Sequence, residues 1–257
     1  MPGCCGTTVR TVRGGRFRLV AAVLLAALIP PLLASCDPPP ADRLPDLRMA
    51  RLSDISLETT SGRRLLRFTT VVVNVGRGAF ELLGTRSAGS PTMAVQQRVY
   101  DDAGGSRYRR TSASMYWSGD GHQHWHVRDL QTYELVRLDN GSRVGTGAKH
   151  GFCFWDNTRF RLSLAGAPQS EVYRGCGVAT DTAVWIGLSV GWGDRYGATI
   201  VDQYIDVTGL VSGNYRLRAT ADDANWFVEV DDLNNVTWVD LSISRHKLRV
   251  GAFGPSA

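Results

Sequence analysis

The segment Gly121-His122-Gln123-His124-Trp125-His126 places three of the five histidines of the chain at alternate positions. In an extended strand, residues i, i+2 and i+4 share a face, so the three imidazoles line up over about 13 Å of backbone and can turn onto one ion through different rotamers. A decorated polar strand face is the competing reading, but such dense use of a scarce residue points to a metal. Imidazole nitrogen suits copper, zinc, iron and nickel alike. No acid or cysteine is interleaved, so a metal held by His122, His124 and His126 keeps positions open for water, substrate or a redox group. The second chemical signal is a census: lysine occurs only at Lys149 and Lys247, against 27 arginines. Arginine stays protonated, whereas a buried lysine can act as a neutral amine nucleophile. A solvated surface residue is the ordinary alternative for each lysine. Lys149 stands apart because it precedes the apolar run Phe152-Cys153-Phe154-Trp155.

The elements that must position these residues read as strands. Leu65–Asn74, Trp125–Val136, Val184–Val190, Ile200–Val207, Tyr215–Thr220 and Val236–Ile243 are short, β-branched or aromatic, and separated by Gly, Asn and Asp turns. No stretch keeps a helical period. The expectation is an all-β chain forming a single β-sandwich-like domain over residues 44–257, with long loops around Asp101–Ser114 and Asp156–Gly175.

Ahead of that domain, residues 1–35 read as an export signal: Arg10, Arg13, Arg16 and Arg18 precede the apolar run Leu19–Ile29, which is too short to span a bilayer. Leu33-Ala34-Ser35-Cys36 resembles a bacterial lipobox, making Cys36 the expected lipid attachment site, with ordinary signal cleavage nearby as the alternative. Residues 36–43 contain Asp37-Pro38-Pro39-Pro40, a stiff tether that would hold the domain off a membrane surface. Of the formal net charge of +5, the leader's four arginines supply all but one, since 25 bases and 24 acids remain. A nucleic-acid partner therefore has no electrostatic basis. With Cys4 and Cys5 in the leader, Cys153 and Cys176 remain in the folded part and read as one disulfide in an oxidising compartment.

An ordered set of motifs then resembles the lysyl oxidase family and its bacterial relatives. It runs from Leu65-Leu66-Arg67-Phe68 with Val73-Asn74 and Gly76, through His122, His124, His126 and Tyr133, to Arg143-Val144, Gly147, Lys149, Phe152-Cys153 and Asp156. Asp194, Tyr196-Gly197-Ala198, Ile200, Gln203, Ile205-Asp206, Gly213-Asn214-Tyr215 and Asn234-Asn235 complete it, so the resemblance covers most of residues 44–243. It implies that His122, His124 and His126 hold copper, and that Lys149 and Tyr196 are joined into lysine tyrosylquinone. It further implies an oxidase that converts primary amines and O₂ to aldehydes, hydrogen peroxide and ammonia. Forming the quinone would need the Lys149 amine neutral, well below the usual lysine pKa of about 10.4. Asp194 matches a family aspartate and is the expected general base, with a strand-turn carboxylate as the plain alternative. Thr132 stands where animal relatives carry a histidine and Asp202 where they carry a cysteine, so no role carries over at either position.

Two other classes use the same residues: an extracytoplasmic copper-binding or copper-delivery lipoprotein without oxidase activity, and an adhesion module with a structural metal. Only the oxidase needs Lys149 and Tyr196. Glu229, Asp231, Asp232, Asn234 and Asn235 read as a polar turn rather than a calcium loop. His150 is read as either a neighbour of the Lys149 chemistry or a solvated residue, and His246 as surface.

Overall fold

Arg63–Asn74 is a twelve-residue strand whose Leu65, Leu66, Phe68, Val72 and Val73 are all buried, too many consecutive apolar positions for a strand with one wet face. It is the centre of a six-stranded sheet in which Thr158–Arg159, Trp192–Tyr196, Arg63–Asn74 and Tyr204–Asp206 lie side by side, with Leu47–Met49 and Ser53–Thr60 also on the central strand. These positions come from a computed structural model that describes residues 39–118, 122–245 and 247–257. The leader, Cys36 and much of the tether lie outside the described residues, as do Gly121 and His246.

Two further sheets complete the architecture. A seven-stranded sheet runs Gly151–Phe152, Trp125–Arg128, Ser106–Trp117, Thr92–Asp101, Phe80–Thr85, Ala183–Leu188, with Asp42–Arg43 beside Thr92–Asp101. A five-stranded sheet runs Arg143–Thr146, Gln131–Arg137, Gly213–Ala221, Val236–Ile243, Leu248–Phe253. Every pairing is antiparallel, and among the described residues there is no helix. One core joins all three sheets: Phe68, Phe80, Trp125, Tyr133, Phe152, Tyr215 and Leu241 belong to a single buried cluster. The all-β, sandwich-like expectation therefore describes the folded part.

Three details differ from the sequence reading. Trp125–Val136 is two strands, because Asp129 takes a left-handed φ of 51° and turns the chain between Trp125–Arg128 and Gln131–Arg137. The expected loop at Asp101–Ser114 is mostly the strand Ser106–Trp117, hidden because Arg107, Arg109 and Arg110 are exposed along it and no apolar alternation shows. Ile200–Val207 keeps only Tyr204–Asp206 as strand. By contrast, Asp156–Gly175 is a loop apart from the two-residue strand Thr158–Arg159.

Candidate active site

Only one of the three histidines lies in a strand. His126 pairs across from Tyr116, while His122 and His124 precede the strand, with Gln123 between them at a φ of 38°. The expected straight row of imidazoles is thus a bend, and the bend gathers the rings: one ligand nitrogen from each of His122, His124 and His126 lies within 4.8 Å of the others. The Nε2 atoms of His124 and His126 are 2.7 Å apart. Nitrogens bound about 2 Å from one ion sit about 3–4 Å from each other, so small ring rotations suffice to close this set on a metal. His126 is buried, and the other two are half-buried. Three neutral nitrogens with no carboxylate fit copper as a donor set.

Gly151 makes room for this arrangement. A Cβ there would lie 2.3 Å from His126 Nδ1 and 2.3 Å from the Tyr116 hydroxyl, closer than any side chain is tolerated. No sequence signal marked Gly151, because its need arises only when Gly151–Phe152 pairs with Trp125–Arg128.

The same short segment reaches the second group of residues. Tyr196 ends the strand Trp192–Tyr196, and Asp194, two residues earlier, shares its buried face while Arg195 points to solvent. The Tyr196 hydroxyl donates to the Cys153 carbonyl at 2.9 Å and accepts from the Cys153 amide at 2.9 Å, which fixes the ring. Lys149 is 5% exposed, with Nζ 5.2 Å from the centre of the Tyr196 ring and 5.3 Å from that of Phe152. Residues 149–153 therefore connect the imidazole cluster to the phenol and the amine.

Electrostatics follow from burial. Burial pushes the Asp194 carboxyl up to about 8, against the opposing pull of the Tyr196 hydroxyl, the Asn157 amide and the Lys149 charge. Asn157 donates to one Asp194 oxygen and was not marked by the sequence reading. Burial, reinforced by the neighbouring Asp194, also raises the Tyr196 phenol well above its usual 10, so the metal-free phenol is neutral. Tyr133 is raised for the same first reason.

Cys153 and Cys176 form a disulfide with Cα atoms 5.9 Å apart. The Cys176 carbonyl accepts from the Trp125 amide at 3.0 Å, so the bridge ties the Tyr196 clamp to the start of the His126 strand. Closing a loop of 23 residues this way contributes roughly 3 kcal/mol in the chain-entropy view. A cleft of about 220 Å³ opens onto Lys149 and is lined also by Asp129, Thr132, Glu134, Arg143, His150 and Asp223. Thr132 thus faces the same space as Lys149. The acidic turn is held internally instead, with Glu229 accepting from the Leu47 amide and Asn235. Trp125 is core, its indole donating to the Val178 carbonyl.

The lysyl oxidase family profile matches residues 91–252, more than half the chain and all the residues brought together above. The chain belongs to the lysyl oxidase family. Human protein-lysine 6-oxidase is 32% identical over 129 residues, which is 49% of this chain and 27% of that protein. Zebrafish lysyl oxidase homolog 3A is 26% identical over 188 residues, covering 72% of this chain and 20% of that protein. Chicken protein-lysine 6-oxidase is 30% identical over 126 residues, 49% of this chain and 27% of that protein. The chain thus spans between a fifth and about a quarter of the length of these relatives.

Proposed function

We propose that the protein is an extracytoplasmic copper-dependent amine oxidase that converts primary amines, peptidyl lysine or small amines, to aldehydes with release of hydrogen peroxide and ammonia. The observation that carries this reading is the approach of the Lys149 amine to 5.2 Å from the centre of the Tyr196 ring, with both residues buried. In a delivery or adhesion protein that approach would serve nothing. Copper held by His122, His124 and His126 would supply Lewis acidity and an electron path to O₂, while a quinone built from Tyr196 and Lys149 would accept electrons from the amine.

The residues of the chain have separate tasks. The Cys153 backbone fixes the ring of Tyr196 through its hydroxyl, so that Lys149 meets it from one direction. Phe152 packs edge-on against Tyr196, with ring centres 5.2 Å apart, and lies beside the Lys149 amine. Asp194 lies beside both groups and, raised to about 8, is matched to accept a proton near neutral pH. The disulfide supports an oxidising setting. Cys36 is the proposed membrane anchor.

Lys149→Arg keeps the positive charge and removes the amine that lies against the Tyr196 ring. In copper-loaded protein exposed to air, wild type is expected to give quinone staining of the denatured chain and amine-dependent peroxide, and the variant neither. Equal peroxide release from Lys149→Arg would refute the reading.

A further inference from the structure

The cleft that reaches Lys149 is lined by an imidazole outside the three-histidine cluster. His150 lines it, and its Nδ1 lies 2.7 Å from Asp129 Oδ1. A carboxylate only accepts, so Nδ1 carries the hydrogen and the neutral ring has its lone pair on Nε2. A backbone bond of 2.7 Å, from the Asp129 amide to the His150 carbonyl, ties the same two residues a second time. Asp129 adopts this position at a φ of 51°, a left-handed conformation that costs a non-glycine residue about 1 kcal/mol and is concentrated at functional sites. The His150 side chain keeps 60% of its surface exposed, so its proton can exchange with water.

We propose that His150, held by Asp129, takes the proton from the incoming substrate ammonium at the mouth of the Lys149 cleft. The proposal rests on the amine-oxidase reading. A primary amine arrives as R–NH₃⁺ at neutral pH and cannot attack a carbonyl in that form. Its N–H bond breaks, the electron pair stays on the amine nitrogen, and the proton goes to His150 Nε2. Nothing is oxidised or reduced in this step. The imidazolium formed is balanced by Asp129, and its proton passes on to water. The other charged groups facing the cleft are Glu134, Arg143, Lys149 and Asp223. Glu134 is neutralised by Arg143 at 3.5 Å and Arg218 at 3.6 Å, so among these only Asp129 has a hydrogen bond to the imidazole.

The test uses two nucleophiles on the copper-loaded full chain: n-butylamine, protonated at neutral pH, and phenylhydrazine, a weak base that arrives unprotonated and traps the quinone as a coloured adduct. His150→Gln should form the phenylhydrazine adduct at the wild-type rate and extent. Its kcat/KM for n-butylamine at neutral pH should fall about 10²-fold and recover in part with added imidazole. Asp129→Asn should show a smaller loss of the same kind. An n-butylamine kcat/KM within about threefold of wild type would overturn the proposal, as would equal loss toward both nucleophiles, which marks a structural role. Failure of wild type to form any adduct would overturn the amine-oxidase reading and this assignment with it.

Discussion

Asp194 shows how one side chain's environment sets its chemistry. A carboxylate two residues from an aromatic at a strand end is ordinary in sequence, but here it is 1% exposed and raised to about 8 by burial. A base must be ionised, so its active fraction grows as pH rises through about 8. In the substrate complex, kcat should therefore climb toward pH 8 in wild type. Asp194→Asn should lower kcat by about 10²-fold or more and abolish that climb, while the phenylhydrazine adduct still forms. Steady-state kinetics across pH 6 to 9 checks this, and a kcat within about threefold of wild type would remove Asp194 from the base role. Lys149 was legible for the opposite reason, since two lysines among 29 basic residues stand out from composition alone. Gly151 and Asn157 were not legible, because each acquires its task only from a partner distant in the sequence.

At the scale of elements, the strands with apolar alternation or continuous apolar runs were readable, and Val236–Ile243 has the bounds its residues imply. Ser106–Trp117 was not, since its first half is a polar arm held by pairing with Thr92–Asp101 rather than by burial. The imidazole cluster carries the sharper lesson. Alternation of His122, His124 and His126 correctly marked a common destination, yet the geometry is not that of a strand. A left-handed Gln123 folds the segment and shortens the span that rotamers would otherwise have to bridge. Asp129 likewise converts one apparent strand into two and, in turning, places its carboxylate on His150. Positive φ at non-glycine residues is invisible to periodicity, and two of the six such residues described, Gln123 and Asp129, fall at the site.

Over the whole molecule, three buried carboxyls are held above their ordinary values, chiefly by desolvation: Asp194 and Glu229 at about 8 and Asp222 at about 6. Each stays protonated in the fold where the unfolded chain has already ionised, so between about pH 4 and pH 8 the unfolded state binds fewer protons and stability falls as pH rises. The lowered carboxyls, Asp42, Asp54, Asp139 and Asp206, are at the surface and act below that window. Thermal melts of the metal-free protein should therefore give a lower Tm at pH 8 than at pH 5.5, with the gap narrowed in Glu229→Gln. A Tm that rises from pH 5.5 to pH 8 would contradict the burial of these groups. Folding of the sheets around one core is what sets Tyr196 and Lys149, 47 residues apart in the chain, against each other. That pairing is tested most directly by proteolysing copper-loaded, air-exposed protein and mapping its peptides by mass spectrometry. The expected result is a covalent pair joined through Lys149 and Tyr196, absent from Lys149→Arg; two separate, unmodified peptides from protein that holds copper and turns over amine would contradict it.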